Sequence, residues 1–288
     1  LMKWFREKSS EHRQKGVELQ QLQQILSMMK KKERADVLLV EKGLLSTREK
    51  ARRSIMAGLV YTDKERIEKP GMKLDPEQPL YLKGDVHPYV SRGGLKLEKG
   101  LQEFPIKMEG KIALDVGAST GGFTDCALQH GAKSVYAVDV GYNQLDWALR
   151  SDPRVHVLER FNFRYAKQSD FVHGTPAVAV CDVSFISLQH LLPRMSEVLS
   201  ARGEACVLIK PQFEAEREEV GKKGIVRDRS IHSRVIESVM KASIASQLQP
   251  AGLHVSPVTG SGGMSNICFI CGSRMKKNTF RLNGLQKR

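Results

Sequence analysis

The sequence predicts an α/β protein, a doubly wound and mostly parallel sheet, preceded by a small α+β module. Three observations carry that expectation. From about Lys111 onward, short apolar runs rich in β-branched residues alternate with longer helical patterns. A glycine-rich turn, Leu114-Asp115-Val116-Gly117-Ala118-Ser119-Thr120-Gly121-Gly122-Phe123, joins the first such run to the helix after it, where a ligand meets the backbone in this class of sheet. The preceding segment has another texture, two short helical patterns followed by broken β-like pieces.

In chain order, residues 1–33 carry 8 basic and 4 acidic side chains and a glutamine-rich stretch. They read as an extension with a short amphipathic helix at most. Met28-Met29 followed by three lysines looks like a natural start, so residues 1–27 read as an upstream addition. Residues 34–84 form the α+β module. Apolar positions from 37 to 44 make one helix face, closed by Gly43. Ser46 with Glu49 has capping-box spacing for a second helix, which places Arg48 and Arg52 one turn apart with Lys50 and Arg53 beside them. Lys69-Pro70-Gly71 and Asp75-Pro76 interrupt the β-like pieces that follow.

Residues 85–110 read as a linker and 111–272 as the sheet domain. Its strands are expected at Ile112–Val116, Ser134–Val138, Val155–Leu158, 177–181 and 206–209, and its helices at Gly122–Gln129, 188–199 and 230–247. A last apolar run, 266–271, is expected to add an edge or hairpin strand, ahead of a basic tail at 273–288.

Composition excludes several classes. With 288 residues, 41% hydrophobic and 27% charged, the chain can bury a core. Its longest apolar runs, 37–40 and 205–209, fall far short of the roughly 18 residues of a spanning helix, so no membrane partner is expected. Five widely spaced cysteines and no signal-peptide pattern suit a reducing cytoplasm. Cys268-x-x-Cys271 has zinc-like spacing, but there is no second pair and strand alternation would turn the thiols to opposite faces, so no metal is expected. The net charge of +14 calls for a polyanionic partner. Residues 1–96 hold 21 basic and 13 acidic side chains, 97–270 hold 19 of each, and 271–288 hold 6 basic and none acidic. The module and the tail are therefore the expected grip on phosphates.

The chemistry concentrates at expected strand ends. Asp115 and, 24 residues on, Asp139 flank a turn containing Gly117, Ser119, Gly121 and Gly122. Two acids and a glycine turn suit a nucleoside with a cationic tail, as in S-adenosylmethionine, and the spacing is not the Gly-x-Gly-x-x-Gly of dinucleotide enzymes. Asp182 follows the run 178–181, Lys210 follows 206–209, and Lys96 closes Ser91-Arg92-Gly93-Gly94-Leu95-Lys96, each at a place where a strand is expected to end. A charge directly after a buried strand points into the ligand crevice. A second cation and an orienting carboxylate are what make an amine a usable base.

Six segments fall in the order and spacing of a known family. They are 34–58 with Lys69-Pro70-Gly71, Tyr89-Val90-Ser91-Arg92-Gly93-Gly94-Leu95-Lys96-Leu97, 114–123, Val138-Asp139-Val140-Gly141-Tyr142, Asp182-Val183-Ser184-Phe185-Ile186-Ser187-Leu188, and Ile209-Lys210-Pro211-Gln212-Phe213-Glu214. Over about 33–272 the chain resembles the haemolysin-A-like (TlyA) family of ribosomal RNA 2′-O-methyltransferases. The catalytic half is similar to the FtsJ-type enzymes, and the module is similar to the RNA-binding module of ribosomal protein S-four. The resemblance implies a Rossmann-like sheet using S-adenosylmethionine to methylate ribose, at cytidine, in structured ribosomal RNA or ribosomal subunits. It also implies that Lys96, Asp182 and Lys210 fill three positions of a Lys-Asp-Lys-Glu tetrad, with Lys210 as base, Asp182 orienting it and Lys96 stabilising the alkoxide. Asn162 and Phe163 would lie near the adenine, and Arg48, Lys50, Arg52, Arg53 and Arg92 would meet RNA. The fourth tetrad position departs, because the family's Gly-Asn-x-Glu falls at Ser265-Asn266-Ile267-Cys268. A thiol offers no fixed carboxylate at neutral pH. The competing expectation is an RNA- or ribosome-binding assembly factor with impaired or no turnover, and Glu214 is the acid that would compensate.

Overall fold

The computed structural model describes residues 32–56, 58–83, 87–222, 224–258 and 266–272, and the backbone of 281–283. The expected extension up to residue 31, Ser265 and most of the basic tail lie outside the described residues. The chain divides into two units, Leu1–Pro88 and Tyr89–Arg288.

In the first unit the elements are β1 (Glu33–Arg34), α1 (Ala35–Glu41), α2 (Arg48–Met56), β2 (Val60–Tyr61), β3 (Lys73–Leu74) and β4 (Tyr81–Leu82). β1 pairs with β3 and β2 with β4, both antiparallel. Leu38 and Leu39 of α1, Ala51 and Ile55 of α2, and Val60, Ile67 and Leu74 close a small core. Gly43 ends α1 in a left-handed conformation, φ 69°, that favours glycine. The start of α2 lies one residue later than the spacing of Ser46 and Glu49 suggests. The backbone N–H of Lys50 donates to Thr47 Oγ1 at 3.2 Å, and a lysine three residues after the cap returns no carboxylate, so the capping box does not form.

The second unit runs α3 (Gly93–Glu103), β5 (Ile112–Val116), α4 (Gly122–Gln129), β6 (Ser134–Val138), α5 (Trp147–Arg150), β7 (Val155–Leu158), β8 (Val178–Cys181), α6 (Leu192–Val198), β9 (Glu204–Ile209), α7 (Pro211–Glu214), α8 (Arg229–Ala245), β10 (Gln249–Val255), β11 (Ile267–Gly272) and β12 (Arg281–Asn283). They form one sheet in the order β12-β10-β11-β9-β8-β5-β6-β7. β9, β8, β5, β6 and β7 are parallel, while β11 runs antiparallel to both β9 and β10. The order turns back between β5 and β8, which puts a crevice at their carboxyl ends.

Strand alternation builds two cores. Leu114, Val116, Tyr136, Ala179, Cys181, Val207 and Phe269 face one side, under Leu192, Met195, Val235 and Val239. Ala113, Val135, Val178, Val180, Leu208 and Ile270 face the other, under Leu97, Phe123, Cys126 and Ala127. Cys268 belongs to the second face and Cys271 to the first. No helix among the described residues is long and apolar enough to cross a membrane, and no group of metal-ligating side chains occurs among them.

Three expectations are corrected. The stretch 85–110 is not only a linker, since 93–103 is helix α3 packed on the sheet domain. The run at 266–271 is the expected hairpin strand, antiparallel to β10, but not an edge, because β10 lies on one side of it and β9 on the other. β10 itself has no clear periodicity in the sequence, as Pro250 and Gly252 bracket an irregularity in its register. The helix expected over 188–199 is a 3-10 turn at Leu188–His190 followed by α6, with Pro193 in its first turn.

Candidate active site

Lys96, Asp182 and Lys210 come together at the carboxyl edge of the sheet. Asp182 follows β8 and Lys210 follows the neighbouring β9, so parallel pairing brings their side chains side by side. Lys96 reaches the same point from α3, not from a strand end as the sequence suggested. Asp182 Oδ2 accepts from Lys96 Nζ at 2.7 Å and its Oδ1 meets Lys210 Nζ at 2.6 Å. All three side chains are largely buried. Burial pushes the Asp182 carboxyl up, but the two ammonium groups outweigh it and hold it below the ordinary carboxylate value. Lys210 also donates to Ser184 Oγ at 3.0 Å.

Two clefts of about 320 and 300 Å³ share Gly117, Ser119, Asp182 and Ser184. The first is lined by Val138, Asp139, Gln144, Asn162, Phe163, Phe185 and Ile186, among others. The second is lined by Ser91, Gly93, Lys96, Gly122, Phe123 and Lys210. One is thus a half-apolar slot with an acid at its side, and the other a polar slot with two lysines.

In the first cleft, Asp139 follows β6 directly and is fixed by backbone donors. Its Oδ2 accepts from Ser119 N–H at 2.8 Å and its Oδ1 from Gly141 N–H at 2.7 Å. Asn162 Oδ1 accepts from Arg164 N–H at 3.1 Å, capping the 3-10 turn that carries Phe163. Gly117, at φ 86°, leaves room that a Cβ would take, since that atom would come within 2.9 Å of the Asp182 carbonyl oxygen. An apolar-walled slot of this size with a side carboxylate, a glycine floor and an exposed polar edge fits a nucleoside with an amino-acid tail.

Three residues expected at the cofactor do not line the first cleft. Asp115 is fully buried and lines neither cleft; Thr124 donates to its Oδ2 at 2.7 Å, and burial pushes its carboxyl up to about 7. Gly121, φ 94°, is glycine because a Cβ would strike Leu149 at 2.3 Å. Gly122 lines the second cleft, where it lets α3 approach, a Cβ there meeting Ser91 Oγ at 2.3 Å. The glycine turn thus serves packing as much as ligand. Ser91, Gln144, Ser184 and Phe185 line the clefts without having been singled out by the sequence. Ser184 and Phe185 had a signal in lying directly after the strand-end Asp182, and the others had none.

Of the cations expected to meet RNA, Lys50 and Arg52 are exposed on α2 and Arg92 is exposed beside the second cleft. Arg53 pairs with Glu49 at 2.7 Å. Arg48 donates to the buried Asp36 at 3.1 Å, and Arg34 grips the same carboxylate at 2.8 and 3.0 Å. Asp36 lies below the ordinary carboxylate value, chiefly through its hydrogen bonds from Arg34.

A model of the FtsJ-like methyltransferase family matches residues 89–274, and an S4 domain model matches 33–80. The YqxC protein of Bacillus subtilis is 57% identical over 243 residues, 84% of this chain and 86% of that one. The chain belongs to the TlyA family. TlyA of Mycobacterium tuberculosis, a 16S/23S rRNA (cytidine-2′-O)-methyltransferase, is 39% identical over 236 residues, 82% of this chain and 88% of that one. A solved structure of a hemolysin-type protein from Streptococcus thermophilus, 48% identical, covers 90% of this chain and 93% of that one at a TM-score of 0.66.

The position expected from the sequence to be fourth in the tetrad is Cys268. Its thiol is buried in β11, 3.2 Å from Cys206 Sγ, and both sulfurs sit under Gly100, where a Cβ would come within 3.0 and 3.1 Å of them. Gly100 lies one turn along α3 from Lys96. Glu214 does not take the missing acid's place beside Lys210. Its Oε2 accepts from Ser187 Oγ at 2.6 Å and its Oε1 from Leu188 N–H at 2.9 Å.

Proposed function

We propose that this chain transfers a methyl group from S-adenosylmethionine to a ribose 2′-hydroxyl of cytidine in ribosomal RNA, acting in the cytoplasm on structured RNA or ribosomal subunits. The observation that carries the reading is the Lys96, Asp182, Lys210 cluster at the wall shared by two clefts, with contacts of 2.7 and 2.6 Å. S-adenosylmethionine, when bound, would supply an electrophilic methyl group to the 2′-oxygen, the methyl–sulfur bond breaking to leave a neutral thioether. Asp139 holds the ribose diol, Ser119 and Gly117 bound the tail, and Asn162 and Phe163 bound the base. On the other side, Lys210 Nζ in its neutral form takes the 2′-hydroxyl proton, the ionised Asp182 aims that nitrogen, and Lys96 Nζ balances the developing alkoxide. Proton transfer of this kind contributes about 10² to 10⁴-fold.

The test is methyl transfer to ribosomal subunits with the product mapped by 2′-O-methyl sequencing. Modified ribose at cytidine supports the reading, and base methylation or no transfer overturns it. A binding factor without turnover remains the second reading because Cys268 replaces the tetrad glutamate. Cosedimentation with subunits in the absence of any transfer would favour it.

The basic module supplies the grip on phosphates in this reading. Arg52→Ala removes one exposed cation from α2 and should lower the magnitude of the log-affinity against log-salt slope by about 0.7 to 0.9, read from RNA titrations at several salt concentrations.

A further inference from the structure

The loop 183–187 lines both clefts, and its shape is costly. Phe185 sits at φ 64° and the residue is 90% exposed, so a strained backbone is held without burial of the residue to hold it. The restraint comes from the neighbouring strand's exit. α7 starts directly after Lys210, and from it Phe213 packs on the Phe185 ring at 4.9 Å between centroids. Glu214 then reaches the far end of the loop, accepting from Ser187 Oγ at 2.6 Å and from Leu188 N–H at 2.9 Å. Ser187 Oγ in turn accepts from Gln189 N–H at 3.2 Å and caps the next 3-10 turn. Lys210 bonds the middle of the loop at Ser184 Oγ, 3.0 Å away. The loop is therefore tied at its start by the Asp182 ion pairs, in its middle by Lys210 and at its end by Glu214.

We infer that Glu214 is a positioning residue, a clamp from α7 that fixes the 183–187 loop so that Ser184 stands beside Lys210 and Phe185 stands at the mouth of the first cleft. Both carboxylate oxygens are held by neutral donors of the loop, and Lys96 and Lys210 pair with Asp182 instead. The residue thus acts through geometry and not through charge. Glutamine preserves both contacts, its carbonyl oxygen accepting from Leu188 N–H and its amide donating to Ser187 Oγ. Alanine preserves neither.

The kinetic part of this inference rests on the methyl-transfer reading, and a second measurement does not. In the full chain, Glu214→Ala should lower kcat for methyl transfer by about 10- to 100-fold, the scale of lost alignment. Glu214→Gln should stay within about three-fold of the parent, since both contacts survive. The backbone amide of Leu188, which donates to Glu214, should lose hydrogen-exchange protection in Glu214→Ala and keep it in Glu214→Gln. Should Glu214→Ala fail to fold, Ser187→Ala removes the hydroxyl donor from the loop side and should itself raise exchange at the Leu188 amide. Unchanged exchange in Glu214→Ala, or in Ser187→Ala where the first variant does not fold, overturns the clamp. So does a Glu214→Gln enzyme as slow as Glu214→Ala with parental protection, because the carboxylate charge would then act on the chemistry. If the parent chain transfers no methyl group, the proposed function fails and exchange alone decides the clamp.

Discussion

Lys210→Ala should lower the rate of methyl transfer by about 10² to 10⁴-fold while leaving S-adenosylmethionine affinity within error. The split follows from where the side chain sits. Lys210 lines the second cleft and is absent from the first, where Asp139 and Asn162 stand. Removing its side chain takes away the nitrogen proposed to receive the proton and also the contact to Ser184 at 3.0 Å. Single-turnover transfer and calorimetric titration of the cofactor separate the two effects. Turnover at the parental rate would end the assignment of Lys210 as base.

Asp182→Ala should cost about 3–5 kcal/mol of folding stability as well as activity, the usual scale for removing one partner of a buried ion pair. Two ammonium groups share this carboxylate at 2.7 and 2.6 Å, with side-chain exposures of 14%, 12% and 16% for Lys96, Lys210 and Asp182. Without it, two cations face each other in a poorly solvated pocket. The pH dependence has a definite sign. The folded Asp182 carboxyl titrates below its unfolded value because the ion pairs outweigh burial. Its contribution is present above about pH 3.9, the unfolded value, and is lost as the pH falls through the lower folded one. Urea unfolding of parent and variant at neutral pH measures the cost, and an unfolding free-energy difference under about 1 kcal/mol would show that the cluster is structurally idle.

The sheet domain was legible because its strands are buried on both faces and read as apolar runs. Ile112–Val116, Ser134–Val138 and Val155–Leu158 stand at the expected residues. β10 escaped because Pro250 and Gly252 disturb its register. α3 escaped because its glycines, Gly93, Gly94 and Gly100, are poor helix formers tolerated for close approach. A Cβ at Gly94 would meet the Tyr89 ring at 2.3 Å. The strand-end rule brought Asp182 and Lys210 to one point correctly. It misassigned the support of Lys96, since a residue contributed by a helix in front of the sheet carries no strand-end signal.

By itself the sequence determined the alternation of strands and helices, the neutral core between basic ends, and the polar residues at the strand exits, because hydrophobic period and charge are local properties of the chain. Only the tertiary structure decided what those residues do to one another. It set Asp115 against Thr124 and Gly121 against Leu149, placed Cys268 against Cys206 and sent Glu214 to the loop after β8. These outcomes depend on which strand lies beside which and how closely the helices approach, and such long-range contacts are made only when the whole sheet closes.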